Sequence, residues 1–271
     1  MERAHARSDA FLHPGGTAGM IDDCPYGWGA DVVTVYFLCD PARLQQLLPG
    51  SLKPANGLCM AYIGMFHSAS EDRPRALIDN PDGAYYREAG LWIACTHTGR
   101  PGYFPAFVWV DREWSLVRGW LNGYPKKLAT VAFGRPHPLN PVTAKLGTGA
   151  TVGGICSRHG HTLMRLGLTV ERLGNTSDLQ SRPSTFGHRH WPALHPSQST
   201  VSEIVEVNRS DVVVSDIWVG RPEFHLGQAP DEELDWFRPS EIVSGLTYSY
   251  GFRIAGAKVV EPLLGRASFR P

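Results

Sequence analysis

Nine runs of β-branched and aromatic residues, each closed by Gly, Pro, Asn or Asp, constrain this chain more than any other feature. They are Asp31–Leu38, Leu58–His67, Ala89–His97, Tyr103–Val110, Thr130–Phe133, Thr162–Glu171, Ser202–Val207, Val212–Val219 and Thr247–Ile254. Runs of this length bounded by turn residues read as strands, and many short strands favour a closed barrel or a sandwich. Helical spacing is found at only a few places. Asp40 followed by Pro41 and apolar residues to Leu48 gives an N-cap and a Pro at the first helical position. Two more helices are expected at 112–121 and 231–237. There is no βαβ alternation, internal repeat or charge block, so the expectation is a mainly β (α+β) fold in one domain, 25–271. Residues 1–24, rich in Gly and poor in apolar side chains, are expected to form a flexible arm.

Composition excludes several function classes. Twenty-six basic and twenty-six acidic residues balance, so no global field recruits nucleic acid or an anionic membrane. No run approaches a membrane span and no signal peptide is legible, which makes cytoplasmic the expected location. Five cysteines scattered without a CxxC pair read as reduced core residues. The segment His188-Arg189-His190 with His195 invites a zinc hypothesis, with His159 or His161 as a third ligand. No HExxH or Cys-rich partner accompanies it, so exposed loop histidines are expected, and neither metal nor cofactor.

Chemistry concentrates at Gly123-Tyr124-Pro125-Lys126-Lys127-Leu128. A Lys-Lys pair is commonly a solvated dipeptide, but this one follows a Pro in an apolar neighbourhood. A lysine amine attacks a carbonyl only when deprotonated, and an unperturbed pKa of about 10.4 leaves little free base at pH 7. Desolvation, or a second cation nearby, lowers it and makes a Schiff-base nucleophile. Leu128, Tyr124 and Trp120 are expected as apolar walls, Asn122 lies one turn before Lys126, and Tyr248 or Tyr250 is a candidate hydroxyl partner.

The aromatic-Pro-Lys-Lys-Leu segment resembles that of the acetoacetate decarboxylase family, in which the first lysine forms the Schiff base and the second is its cationic neighbour. Asp40 to Leu52, Tyr86-Arg87-Glu88-Ala89-Gly90, Ser202-Glu203-Ile204, Trp218-Val219-Gly220 and Glu241-Ile242-Val243-Ser244 resemble other family segments, in the same order from about 25 to 262. The resemblance implies a cone-shaped, largely antiparallel closed β-barrel with short peripheral helices, its lysines in an interior cavity, assembled as a homo-oligomer. It further implies catalytic roles for Lys126, Lys127 and Glu88, with Tyr62 and Tyr86 lining the substrate site.

Ala30 stands where the family has an arginine, Tyr62 where it has a glutamate, and Arg118-Gly119-Trp120 where it has Gly-Arg-Glu. These departures predict a cavity larger in aromatic surface and differently charged. The expected reaction is decarboxylation of a β-keto acid bulkier than acetoacetate through a Lys126 iminium. The alternatives are an aldolase-dehydratase or cyclase using the same iminium, and a non-catalytic small-molecule-binding barrel.

Overall fold

The computed structural model describes residues 20–263 apart from 23, 72, 182 and 196, so most of the expected N-terminal arm lies outside the described residues. Thirteen strands form one sheet: β1 (Tyr26–Leu38), β2 (Lys53–Ser70), β3 (Tyr85–His97), β4 (Arg100–Val110), β5 (Lys126–Leu128), β6 (Thr130–Gly134), β7 (Thr151–Arg158), β8 (His161–Leu173), β9 (Ser184–Trp191), β10 (Val201–Asn208), β11 (Ser210–Leu226), β12 (Glu241–Ile254) and β13 (Ala257–Pro262). The helices α1 (Pro41–Leu47), α2 (Ala76–Asp79) and α3 (Glu113–Leu121) are short. Asp40 caps α1 by accepting from the Ala42 amide at 2.8 Å. The helix expected at 231–237 is only a 3-10 turn, Leu234–Phe237.

The ladder runs β13-β10-β9-β4-β3-β2-β1-β12-β11-β8-β7-β6, with β5 beside β4. Its ends do not pair, so the closed barrel expected from the sequence is not formed. Side chains bring the sheet round on itself where the ladder does not: β6 and β7 fold back against β2 and β3. Gly154 permits that approach, since a Cβ there would lie 2.5 Å from Ile63 Cγ2. The glycines that let β7 come so close also weaken its strand pattern, and β7 was not among the nine runs. Nor were β5, β9 and β13.

Alternation in the central strands divides the core in two. Val33, Val35 and Phe37 of β1, Ala61 and Ile63 of β2, and Leu91 and Ile93 of β3 enter one apolar cluster. Their neighbours Val32 and Tyr36, Met60 and Tyr62, and Tyr86 and Trp92 enter a second, richer in aromatic rings. Both faces of these strands are therefore buried, and the polar site lies on the second. Four cysteines are buried and Cys24 is exposed, none of them in a disulfide, which corrects the expectation that every cysteine is a core residue. No helix among the described residues is long and apolar enough to cross a membrane.

Candidate active site

A three-residue strand decides where the two lysines go. In β5, Lys126 lies in register with Val108 and Lys127 with Trp109, in parallel pairing. Successive strand residues face opposite ways. Lys126 therefore joins the aromatic face with Val108, and Lys127 the opposite face with Trp109.

Lys126 is 6% exposed, and its Nζ donates to Glu88 Oε2 at 2.6 Å and to Ser115 Oγ at 3.0 Å. The nitrogen lies 5.3 Å from the Tyr86 ring centroid. Glu88, on β3, accepts on its other oxygen from the Tyr62 hydroxyl at 2.5 Å. One buried carboxylate thus bridges an amine and a phenol. Burial pulls the Lys126 pKa down, Glu88 opposes the fall, and the Arg118 cation adds to it; the net direction is down. Burial and then the Glu88 charge push the Tyr62 hydroxyl well up, so it stays a donor. The same two causes raise Tyr86.

Two glycines make room for this arrangement. A Cβ on Gly119 of α3 would sit 2.3 Å from Lys126 Cδ, and one on Gly90 would sit 2.7 Å from Tyr62 Cε1. Ala30, opposite Phe66 on β2 and Tyr250 on β12, leaves space that those two rings share, their centroids 6.4 Å apart.

Arg118, three residues after Ser115 on α3, is the cation that the sequence did not single out. Its guanidinium lies 4.6–4.8 Å from the rings of Tyr26, Trp28 and Trp114, and Nη1 donates to Ser68 Oγ at 2.9 Å. Nη2 is buried with no hydrogen-bond partner among the described residues. The spacing of Ser115 and Arg118, one helical turn apart, is the signal that places both on one face.

Lys127 does not occupy the place of a cationic neighbour. Its Nζ donates to Glu232 Oε2 at 2.9 Å and to the Asp231 carbonyl at 3.2 Å, while Trp109 Nε1 and Arg158 Nη1 each reach Glu232 Oε1 at 3.3 Å. That cluster sits across β5 from Lys126. The physical reason is strand alternation, which sends adjacent side chains apart.

Trp120 is likewise no wall of the amine's cavity. It is 41% exposed, donates from Nε1 to the Lys126 carbonyl at 2.9 Å, and lines a separate outer groove with Trp191, His188 and His190. Leu128, 49% exposed, is not a wall either. Tyr62, Tyr86, Asn122, Tyr124 and Tyr250 do line the cavity, whereas Tyr248 is buried behind Tyr250 with ring centroids 5.5 Å apart. The cavity measures about 50 Å³, room for roughly three to five waters. Its lining is rich in aromatic side chains. His188 and His190 lie on β9, not in a loop. No three metal-ligating side chains converge among the described residues.

Comparison with known proteins places this geometry. A family model described as acetoacetate decarboxylase matches residues 12–264. A solved acetoacetate decarboxylase-like enzyme from Sphingomonas wittichii RW1 is 65% identical, with a TM-score of 0.90 over 93% of this chain and 98% of that one. The enduracididine biosynthesis enzyme MppR, solved with the condensation product of pyruvate and imidazole 4-carboxaldehyde, is 25% identical, with a TM-score of 0.84 over 92% of this chain and 94% of that one. Acetoacetate decarboxylase from Legionella pneumophila, 16% identical, shares the fold at a TM-score of 0.75 over 90% of each chain. No curated relative matches. With nearly the whole described chain inside the family model, and a buried lysine and glutamate at the matched segments, the protein belongs to the acetoacetate decarboxylase family.

Proposed function

We propose that residues 25–271 act as one catalytic domain that joins a small 2-oxo acid to an aldehyde through an iminium on Lys126, with loss of water. The Glu88 carboxylate bridging Lys126 and Tyr62, beside a buried arginine, carries this reading. Lys126 Nζ attacks the ketone carbon and water leaves, giving an iminium whose positive nitrogen is an electron sink. Glu88 takes a proton from the adjacent carbon to form the enamine. The enamine carbon bonds to the aldehyde carbon, and the new alkoxide is protonated. Dehydration and iminium hydrolysis release an unsaturated oxo acid and restore the amine. Tyr62 gives its one hydroxyl proton to a hydrogen bond with Glu88 and holds that carboxylate in place.

Arg118 is the counter-ion for the oxo acid's carboxylate. With the iminium formed, iminium and Arg118 balance Glu88 and that carboxylate, so the buried site is neutral. Such pairing stabilises the carboxylate as an anion and works against its loss as CO2. The condensation product bound to MppR supports the reading at the level of a relative. We propose a homo-oligomer, as the family resemblance implies, and a cytoplasmic location, as expected from the sequence.

The test is pyruvate with borohydride. Mass spectrometry is expected to find a reduced pyruvyl adduct on Lys126, absent from Lys126→Ala. In a separate reaction without borohydride, pyruvate and an aldehyde should give a carboxylate-bearing product without CO2. Stoichiometric CO2 release from a β-keto acid would restore the decarboxylase reading, and no adduct with any oxo acid would leave a binding protein.

A further inference from the structure

On the cavity side of β3, alternation sets Tyr86, Glu88, Gly90 and Trp92 in one row. Arg118 belongs to the Tyr86 end of that row. Its guanidinium lies 4.6 Å from the Trp28 ring and 4.8 Å from that of Trp114; Trp28 Nε1 donates to the Tyr86 hydroxyl at 3.2 Å, and Trp114 meets the Tyr86 ring edge-on at 5.1 Å. Glu88 and the Lys126 amine stand in the middle. Trp92 closes the far end, where it meets the rings of Tyr62 and Tyr124 edge-on, each at 5.9 Å. Tyr124 is partly exposed and lies at the mouth of the cavity.

Arg118 Nη2 and Trp92 Nε1 are both buried with no hydrogen-bond acceptor among the described residues, and both side chains line the cavity. Trp92 is 4% exposed, and a buried N–H left without an acceptor is rare in a folded protein. The indole leans back along β3 toward the reacting groups: a Cβ on Gly90 would lie 3.0 Å from Trp92 Nε1 and 2.9 Å from the Tyr62 hydroxyl oxygen. Tyr62 has its one proton on Glu88. The Trp92 N–H, with its hydrogen bond still to make, is therefore placed to serve an oxygen of a bound reactant.

The chemistry of pyruvate gives these two donors different tasks. In a Lys126 iminium the carboxylate and the methyl group extend from opposite sides of the carbon that bears the nitrogen. A carboxylate directed to Arg118 turns the methyl carbon, which becomes the nucleophilic enamine carbon, toward the Trp92 end of the row. We propose that Trp92 is a catalytic residue whose indole N–H binds the oxygen of the acceptor aldehyde and stabilises the alkoxide that forms there. This rests on the condensation reading above. The enamine's electron pair forms the carbon–carbon bond, the aldehyde's π pair moves onto its oxygen, and Glu88 returns to that oxygen the proton it took from the methyl group. Trp92 keeps its own proton and holds the developing charge, in a buried site where such a donor counts for more than in water.

The experiment separates the two halves of the reaction. Exchange of the pyruvate methyl protons in D2O reads enamine formation, and pyruvate with benzaldehyde or acetaldehyde reads condensation. Trp92→Phe is expected to lower kcat for condensation by roughly 10²-fold, the usual loss for one such donor, while methyl exchange proceeds near the wild-type rate. Replacing Trp92 by 3-benzothienylalanine, which keeps the two fused rings and puts sulfur in place of the N–H, should give the same split with the packing retained. If Trp92 only fills space, Trp92→Phe slows exchange and condensation together and the benzothienyl variant condenses at the wild-type rate, which overturns the assignment. A higher half-saturating pyruvate concentration for exchange in both variants would put the indole on the oxo acid's carboxylate and overturn it as well. Each of those results leaves wild-type condensation standing and sinks only the Trp92 assignment. A wild-type protein that forms no product from pyruvate and either aldehyde sinks the condensation reading and this inference with it.

Discussion

Lys126 and Lys127 are chemically identical neighbours in a three-residue strand, yet each pairs with a different buried glutamate on opposite faces of the sheet. Glu88, 8% exposed at its side chain, faces Lys126, 6% exposed; Glu232, 1% exposed, faces Lys127, 38% exposed. Glu232 is saturated by Lys127, Arg158 and Trp109, all cations or fixed donors at one place. Among the described residues Glu88 has the amine and a phenol as its hydrogen-bond donors, beside a cavity. The difference teaches what turns an ion pair into a reactive centre. A carboxylate with its acceptor capacity filled by fixed groups anchors a strand. One that shares a proton-bearing amine and a hydroxyl next to open space can move protons.

The sharpest way to break this comparison is at the two glutamates' partners. Glu88→Gln removes the proton carrier and is expected to lower kcat for condensation by roughly 10²- to 10⁴-fold. It also removes the group that opposes the fall in the Lys126 pKa. The free-amine fraction rises as pH rises through that pKa, so the acid limb of adduct formation should move to lower pH. A limb that moves up would mean that Glu88 does not act on Lys126 in this way.

Lys127→Met tests the other face. It takes one charged donor from a buried carboxylate and is expected to cost about 1–3 kcal/mol of stability, read as a Tm lower by roughly 2–10 °C. The acid limb should stay where it is, because Lys127 is not the cation beside Lys126. A limb shifted upward in Lys127→Met would restore the second lysine as the electrostatic neighbour.

The smallest effect is expected from Arg118→Met. Removing a cation that lowers Lys126 lets its pKa rise, so the acid limb moves up. The half-saturating pyruvate concentration should increase about 10-fold, as one charge-assisted contact is lost. An unchanged pyruvate requirement with a shifted limb would separate tuning of the amine from carboxylate binding.

Much of this was legible in the order of residues. The nine strand runs all fall within observed strands, and α1 and α3 lie where their spacing predicted. Glu88 and Tyr62 were identified by segment resemblance, and the structure brings both to Lys126. Arg118 was read only as part of a run that departs from the family's, because a single arginine in Glu113–Leu121 looks like any amphipathic helix until its partners are known. Trp120 was expected beside the amine from its place before the motif, but a helix end carries it to the outer groove.

The sequence by itself determined that this chain is a strand-rich sheet, that its central strands alternate, and that Lys126 stands in a segment suited to imine chemistry. Those properties depend on neighbours a few residues apart, which periodicity and motif spacing record. Only the tertiary structure decided that the sheet stays open at its ends, that Lys126 rather than Lys127 faces the cavity, and that Arg118 is its cationic neighbour. Alternation states that adjacent residues part; it does not state which face will hold the site. Desolvation and charge are set by groups brought from β2, β3 and α3, apart from Lys126 in the chain and around it in the fold.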